Sequence, residues 1–157
     1  MKAAKGVILI VFIVFSINCS WNKSDKFNLE KHIGDYLVVH CEGKSDCRFR
    51  LNEVTPFKWD KFYFFDASIE GHRIVEITGI SADYKENMKR KFIFVKNNRI
   101  VYFEENESDI ESAVEGEINF QDADRKNYAV FDYIAEFRVS PAYRGFALEC
   151  LNCDKTQ

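Results

Sequence analysis

Cysteines are the residues of this sequence whose spacing most directly suggests chemistry. Cys19 stands alone near the N-terminus, whereas Cys41 and Cys47 enclose a short polar loop and Cys150 and Cys153 form a Cys-x-x-Cys pair. An even number of cysteines after Cys19 is typical of disulfides in an exported protein. Of the three possible pairings we favour Cys41–Cys47 with Cys150–Cys153, where each bond closes a short loop and stabilises by about 2–3 kcal/mol. A crossed pairing would tie the two ends of the domain together and contribute more.

The same thiols could instead bind a metal ion. The Cys150-x-x-Cys153 pair supplies half of a zinc ribbon, and His40, Cys41 and Cys47 could complete the ligand set. Irregular spacing and the oxidising compartment expected for this chain disfavour zinc. A thioredoxin-like redox role is disfavoured as well, because such dithiols begin a helix in a βαβ unit and this pair follows a strand pattern. We therefore expect no metal and no cofactor.

The other polar residues form no catalytic constellation. The three histidines lack an HExxH spacing, and no serine has a Gly-x-Ser-x-Gly context. Asp60 and Asp66 flank an aromatic stretch as a conceivable carboxylate pair, but carboxylates at strand ends are commonly turn formers. The acidic run Glu104–Glu111 lacks the Asp-x-Asp-x-Asp-Gly order of a calcium loop. The sequence therefore predicts a protein that is not an enzyme.

Aromatic side chains offer a second kind of site. Trp59, Tyr63 and Tyr133 could line a binding pocket if they project from the open face of a sheet. Large aromatic residues more often fill the core of a domain and hydrogen-bond their polar tip there. Both interpretations stay open from the sequence, since a deep, partly polar pocket would favour the first and a filled core would favour the second.

The first 18 residues have the composition of an export signal. Two lysines precede the apolar run Val7–Phe15, which is too short to span a bilayer comfortably. Cys19 follows, and this arrangement resembles the lipobox of bacterial lipoproteins, although Ser16 and Asn18 stand where that family prefers leucine and a small residue. The resemblance implies cleavage before Cys19 and acylation of that cysteine with fatty acids such as palmitate.

This resemblance sets the expected location and boundaries. Ser20 stands where an aspartate would indicate retention in the inner membrane, so we expect attachment to the outer membrane, facing the periplasm. The alternative locations are the inner membrane, through the same lipid anchor, and the periplasm as a soluble protein. The alternative interpretations of the leader are an uncleaved membrane anchor and an ordinary signal peptide that is cut nearby. Residues 19–28 are polar and aperiodic and form the expected tether, and residues 29–157 form the expected single domain.

Composition narrows the class of protein further. The whole chain carries a net charge of −3, and loss of the two leader lysines makes the rest more acidic. The basic triplet Lys89-Arg90-Lys91 is expected at a solvated strand edge, so we expect no nucleic acid as a partner. Fifteen Phe and seven Tyr against only two Pro indicate an ordered, aromatic-rich β domain.

Hydrophobic periodicity predicts an α+β fold with a mainly antiparallel β-sheet and one or two short helices. One helix is expected over Ser68–Gly79, capped by Ser68 and closed by Gly79, with shorter helical turns at Leu29–Ile33 and Asp109–Val114. Phe57–Phe65 is expected to be a central strand whose second half is buried on both faces. Lys91–Lys96 and Arg99–Glu104 are expected to form a hairpin around the turn Asn97-Asn98. Other strands are expected at Tyr36–His40, Arg48–Leu51, Glu117–Gln121, Tyr143–Leu151 and Tyr128–Val139, the last of which Pro141 is expected to end.

The order of these elements carries a second resemblance. The strand Phe57-Lys-Trp-Asp-Lys-Phe-Tyr-Phe-Phe65, a short helix ending at Gly79-Ile80 and the strand pair after Lys91 look like a group of small bacterial proteins, many with lipoprotein leaders. The similarity covers about residues 55–105 and consists mostly of core positions. It therefore implies a fold and no activity, and no catalytic residue can be carried over from it.

These features together predict a membrane-anchored periplasmic lipoprotein that acts as a non-enzymatic protein-binding module. A specific version is an immunity-type protein that blocks a toxin delivered into the periplasm. The expected partners are the lipid bilayer, through the acylated N-terminus, and a protein whose identity the sequence leaves open. The alternative is a small-molecule binder or an enzyme that uses the aromatic pocket.

Overall fold

The computed structural model describes residues 27–85, 88–107, 116–121, 126–143 and 145–153, and these contain two helices and eight strands. The helices are α1 (Leu29–Cys41) and α2 (Gly71–Thr78). The strands are β1 (Cys47–Arg50), β2 (Lys61–Phe65), β3 (Lys89–Lys96), β4 (Arg99–Glu107), β5 (Glu117–Phe120), β6 (Tyr128–Asp132), β7 (Glu136–Ala142) and β8 (Gly145–Cys150). The export leader and the helical turn expected at Asp109–Val114 lie outside the described residues.

The strands form two four-stranded sheets. The first sheet has the order β4-β3-β2-β6, and all of its neighbouring strands are antiparallel. The second sheet has the order β1-β7-β8-β5, in which β5 and β8 are parallel and the other neighbours antiparallel. The predicted class, α+β with mainly antiparallel β-structure, is confirmed.

Aromatic side chains fill the space between the two sheets. Phe62 of the first sheet lies 5.4 Å from Phe120 of the second, measured between ring centroids, and Phe120 lies 5.7 Å from Phe137. All three rings are fully buried. Burial of one such side chain stabilises the folded state by about 1.5–3 kcal/mol, so this shared core is what holds the two sheets together.

The other face of the first sheet is covered by α2. Tyr63, Phe65 and Ile93 project from that face and pack in one cluster with Ile74 of the helix. Strand β2 is therefore buried on both faces, which confirms the prediction for the second half of Phe57–Phe65, although the strand begins only at Lys61.

Helix α2 confirms the predicted helix with one correction at its start. Gly79 closes it in the left-handed conformation, with φ of 69°, which glycine adopts without steric cost. Ser68 does not cap the helix, because the helix begins three residues later and Glu70 occupies the capping position without a side-chain hydrogen bond.

Helix α1 overturns the strand predicted at Tyr36–His40 and extends well beyond the short turn predicted at Leu29–Ile33. Its apolar positions recur every four residues and are all buried: Leu29, Ile33, Leu37 and Cys41. The side chain of Asn28 accepts a hydrogen bond of 2.7 Å from the backbone N–H three residues on, which caps the helix. Packing of this stripe outweighs the strand propensity of Val38 and Val39, which are left exposed.

The single strand predicted at Tyr128–Val139 is in fact two strands, β6 and β7, which belong to different sheets. The apolar residues at odd positions continue across the gap between β6 and β7 because both strands contribute to one core. Phe131 enters that core from the first sheet and Phe137 from the second, and their ring centroids lie 5.0 Å apart. Pro141, which was expected to end the strand, lies within β7 opposite Phe146.

The hairpin predicted around Asn97 and Asn98 is present as β3 and β4. Both asparagines have positive φ, 49° and 57°, as a two-residue hairpin turn requires. The strands predicted at Arg48–Leu51, Glu117–Gln121 and Tyr143–Leu151 are found, with small shifts, as β1, β5 and β8.

Gly34 occupies the middle of α1, where glycine costs about 0.5–1 kcal/mol relative to alanine. A Cβ atom built at this position would meet no other atom within 4 Å. The fold itself therefore gives no steric reason for a glycine here. Within the described part of the chain, no helix has both the length and the apolar character needed to cross a bilayer.

Candidate functional site

The structure places the three candidate aromatic residues at two separate sites. Trp59 and Tyr133 are neighbours, with ring centroids 5.1 Å apart in an edge-to-face arrangement. Trp59 is almost wholly buried in the core between the sheets and donates its indole N–H to Oγ1 of Thr55 at 3.0 Å. Tyr63 packs on the other face of the first sheet, where burial raises the pKa of its hydroxyl. These side chains therefore do not line one pocket.

Tyr133 belongs to the turn that carries the chain from one sheet to the other. Strand β6 ends at Asp132 and β7 begins at Glu136, so three residues make the crossing. The first two of them, Tyr133 and Ile134, form a turn that is here named the Tyr133–Ile134 turn. Ile134 is 67% exposed and Tyr133 is 40% exposed. Two consecutive large side chains of the turn are thus exposed to solvent.

The backbone of this turn is held from several sides. Asn52 donates its side-chain amide to the carbonyl of Tyr133 at 3.2 Å, and Asn152 donates its amide to the carbonyl of Ile134 at 3.0 Å. The N–H of Tyr133 in turn bonds the carbonyl of Asp60 at 3.2 Å. A turn that is already ordered loses little conformational entropy when a partner binds it, so more of the contact energy appears as affinity.

The two disulfides are Cys41–Cys47 and Cys150–Cys153, the pairing that the sequence favoured. The first joins the end of α1 to the start of β1. The second closes the bend that presents Asn152 to the turn, where its Oδ1 accepts the N–H of Glu136 at 2.8 Å. The N–H of Leu151 within the same bend bonds the carbonyl of Glu136 at 2.8 Å. The Cys-x-x-Cys pair therefore supports the exposed turn.

Polar residues that could have served other chemistry have structural partners. In the described ranges no three His, Cys, Asp or Glu side chains are grouped so that they could hold a metal ion. His40 lies exposed on α1. Asp60 accepts the N–H of Asn97 at 2.7 Å, and Asp66 accepts the N–H of Ser68 at 3.1 Å. Both carboxylates are turn formers, as expected.

Replacement of Asn152 by alanine should loosen the turn while the domain stays folded. The change removes the bonds to the Ile134 carbonyl and the Glu136 N–H, and a typical hydrogen bond contributes about 0.5–1.5 kcal/mol. We expect the free energy of unfolding to fall by about 1–3 kcal/mol and hydrogen–deuterium exchange at the Glu136 amide to become faster. Asn119→Ala, at an exposed asparagine of β5, is the matched control. Unchanged exchange at Glu136 in Asn152→Ala would show that the amide does not hold the turn.

Sequence reasoning identified Tyr133 but missed Ile134, Asn52 and Asn152. Ile134 stands on the even-numbered face of the strand predicted at Tyr128–Val139, between the charged residues Asp132 and Glu136, and an apolar residue there was the available signal of a break. No local signal marks the two asparagines, because their carbonyl partners are 81 and 18 residues away in sequence.

A buried polar cluster joins the start of α1 to three strands. Arg90 of β3 is 2% exposed, and its guanidinium lies 2.9 Å from the Glu30 carboxylate and 3.2 Å from that of Glu117. Glu30 also accepts the N–H of Ile118 at 3.0 Å and the side-chain amide of Asn106 at 2.5 Å. Burial raises the pKa of the Glu30 carboxyl, against the lowering effect of Arg90 and of these hydrogen bonds. These contacts fix the position of α1.

The basic triplet Lys89-Arg90-Lys91 was wrongly predicted to be a solvated edge. Strand β3 lies inside the first sheet, and the side chains of Arg90 and Lys91 are both buried. Lys91 donates to the carbonyl of Lys89 at 3.1 Å, and burial lowers the pKa of its ammonium group, although nearby Glu105 acts in the opposite direction. Two of the three side chains of the triplet therefore belong to the interior of the fold, and that of Lys89 is half-buried.

No known protein family, curated protein or solved structure matches this chain. The candidate site accordingly rests on its own geometry. It consists of the Tyr133–Ile134 turn, held by Asn52 and Asn152 and supported by the Cys150–Cys153 disulfide.

Proposed function

We propose that this chain is a lipid-anchored periplasmic protein that binds another protein through the Tyr133–Ile134 turn and catalyses no reaction. The observation that carries the proposal is the exposure of Tyr133 and Ile134 on a turn clamped by Asn52 and Asn152. Tyrosine is enriched among the residues that dominate protein–protein affinity, and such residues work best when they are held in place before contact.

Three features support the export part of the proposal. Residues 1–18 have the basic and apolar regions of a leader, and Cys19 follows at the position where lipoproteins are acylated. The two disulfides are typical of a protein that folds in an oxidising compartment. With Ser20 after the acylated cysteine, the location we propose is the outer membrane, facing the periplasm.

An immunity-type protein is the specific version that we propose. Such a protein neutralises a toxin by covering it, so it needs affinity and a rigid contact surface but no catalytic group. The small acidic domain and its ordered apolar turn suit that task. An anchor at the membrane would keep the protein in the compartment that a delivered toxin enters.

Substitution of Ile134 by aspartate should weaken capture of the partner at least about 30-fold, the equivalent of about 2 kcal/mol for a central interface residue. A charge placed at the centre of an apolar contact loses its hydration when the partner binds. Periplasmic extract passed over the immobilised domain would supply the partner, and titration of the purified partner would then give the affinity of each variant. Because Ile134 is largely exposed, its replacement should change the free energy of unfolding by less than about 0.5 kcal/mol.

Met88→Asp is the matched control. Met88 is 55% exposed and directly precedes the first residue of β3. The Tyr133–Ile134 turn bonds to Asp60, which lies beside the last residues of the same strand. Since β3 has eight residues, Met88 lies about 25 Å from the turn at the usual rise per residue of a strand. Equal capture by the two variants would reject the turn as the contact surface.

The immunity version further requires that the captured protein arrest growth when it is sent to the periplasm of cells that lack this chain. A captured protein without that toxicity would reject this version alone.

A further inference from the structure

Basic side chains collect at the end of the first sheet that lies beside the Tyr133–Ile134 turn. Strand β2 begins at Lys61, β3 ends at Lys96, and β4 begins at Arg99, which lies directly opposite Lys96. Lys58 adjoins Trp59, the ring neighbour of Tyr133. Lys96 is half-buried, and the other basic side chains are exposed. This set of four, here named the basic rim, consists of Lys58, Lys61, Lys96 and Arg99.

Asp60 joins the basic rim to the turn. Its backbone carbonyl accepts the N–H of Tyr133 at 3.2 Å, and its carboxylate accepts the N–H of Asn97 at 2.7 Å. Asp60 directly precedes Lys61, and Asn97 directly follows Lys96. These two hydrogen bonds fix the rim and the exposed turn beside each other, so that a partner seated on the turn also meets the rim.

The positive charges of the basic rim have no partners of their own. In the part of the chain that the structure describes, none of its four side chains forms an ion pair or a hydrogen bond. Among the described residues, the carboxylates at this end of the sheet are Asp132, which lies opposite Lys61, and Asp60, which is engaged by the N–H of Asn97. Four cations thus face two carboxylates here, although the whole chain has a net charge of −3.

Charges on the other side of the turn, toward the second sheet, are distributed differently. Glu136 lies opposite Arg50 in the register of β1 and β7. Glu53 accepts the hydroxyl of Tyr36 at 2.9 Å. The excess of positive charge among the described residues therefore lies on the first-sheet side of the turn.

Two cations of the rim are placed unfavourably for the protein on its own. Lys96 and Arg99 flank the two-residue turn of the hairpin and lie directly opposite each other. Like charges in this cross-strand arrangement are destabilising. A partner that brings carboxylates to this point relieves the repulsion, and its own charge is compensated in return.

We propose that the basic rim binds carboxylates that flank the contact with the Tyr133–Ile134 turn, so that the partner is a protein with an acidic contact surface. This inference rests on the proposed function, because it assigns the chemistry of the partner that the turn binds. Charge complementarity of this kind speeds association and disfavours other partners. Since the chain as a whole is negative, an acidic partner is attracted at this end and repelled elsewhere, which orients its approach.

Blocked peptides of equal length, in which glutamates, glutamines or lysines flank a central leucine, test this chemistry by NMR titration at low ionic strength. We expect the glutamate peptide to shift the amide signals of Lys61, Asn97 and Arg99 with a dissociation constant on the order of 1 mM. The glutamine and lysine peptides should bind at least about tenfold more weakly. Physiological ionic strength should weaken binding of the glutamate peptide, because salt screens exposed charges.

Three outcomes of this titration would overturn the proposal. Equal binding of the glutamate and glutamine peptides would reject the acidic partner, and shifts confined to other residues would reject the surface. Glycerol phosphate stands in for a lipid headgroup. If it binds at the rim more tightly than the glutamate peptide, the rim belongs to a membrane and not to an acidic protein.

A double variant, Lys96→Gln with Arg99→Gln, tests the rim itself. Binding of the glutamate peptide should fall at least about fivefold, whereas the midpoint of thermal unfolding should not fall, because the change removes a repulsion. Arg48→Gln with Arg73→Gln is the matched control. It changes the net charge equally but removes exposed cations that are already paired, with Asp46 and Glu76, and should keep the affinity. An equal loss in both double variants would reject the rim as the binding surface.

The peptide titration and the capture experiment fail independently. If Ile134→Asp weakens capture of the partner while the glutamate and glutamine peptides bind equally, the turn remains the contact surface and its partner is not acidic. If the glutamate peptide binds at the rim but Ile134→Asp captures the partner as well as Met88→Asp does, the contact at the turn is rejected, and the assignment of its partner falls with it.

Discussion

Replacement of Arg90 by methionine is expected to lower the free energy of unfolding by about 3–5 kcal/mol. The guanidinium is buried and connects Glu30 of α1, Glu117 of β5 and the carbonyl of Ile118, which lies 3.2 Å from its Nη1. Removal of the cation leaves carboxylates in a poorly hydrated place without their counter-charge. That penalty exceeds any gain from the apolar methionine side chain, because Glu30 stays enclosed between the helix and the strands.

Chemical denaturation with urea would measure this loss, and an exposed ion pair of the same kind is the control. Arg138 and Glu149 pair across β7 and β8 at 3.1 Å, with about half of each side chain exposed. Arg138→Met should therefore cost less than about 1 kcal/mol. Addition of Glu30→Gln to Arg90→Met should restore part of the lost stability, since the two residues are in contact. A cost for Arg90→Met no larger than that for Arg138→Met would show that the cluster does not anchor α1.

This cluster also shows why the position of α1 could not be read from the sequence. The residues that hold the helix lie up to 88 positions apart, as in the bond between Glu30 and the N–H of Ile118. Val38 and Val39 favour a strand locally, and only burial of the neighbouring stripe in a core made by both sheets overrides that preference. Strand β2, α2 and the hairpin at Asn97 were predicted correctly because their signals are contained in short segments.

The candidate site was predictable only in part, for a related physical reason. Apolar residues at every odd position from Ala129 to Val139 are typical of one long strand, but two shorter strands that face a common core from opposite sheets satisfy this pattern equally well. The break at Ile134 depends on Asn52 and Asn152, which reach the turn from distant parts of the chain. The disulfide pairing is the one that the sequence favoured without deciding among the three possibilities, and both bonds close short loops.

Substitution of Cys19 by serine is expected to abolish acylation and to release the protein from the membrane. In the lipoprotein that we propose, the sulfur atom of Cys19 receives the lipid, as the lipobox resemblance implies. Each buried CH₂ contributes about 0.8 kcal/mol, and stable anchoring needs two such signals where one acyl chain binds only marginally. The domain itself should keep its stability, because α1 begins ten residues further on. Metabolic labelling with an alkyne analogue of palmitate, followed by membrane fractionation, would measure both effects.

A double variant, Cys150→Ser with Cys153→Ser, separates acylation from the general loss of a thiol. This variant should keep the label and remain in the membrane fraction, because Cys150 and Cys153 of the unaltered protein are joined to each other and are not the proposed lipid acceptor. Intact mass gives an independent readout, since the wild-type chain should begin at residue 19 and carry the acyl groups. A full-length chain without lipid and with five free thiols would contradict the leader, the anchor and the oxidising compartment together. The export part of the proposal would then fall, whereas the contact surface at Ile134 would still be judged by its own titration.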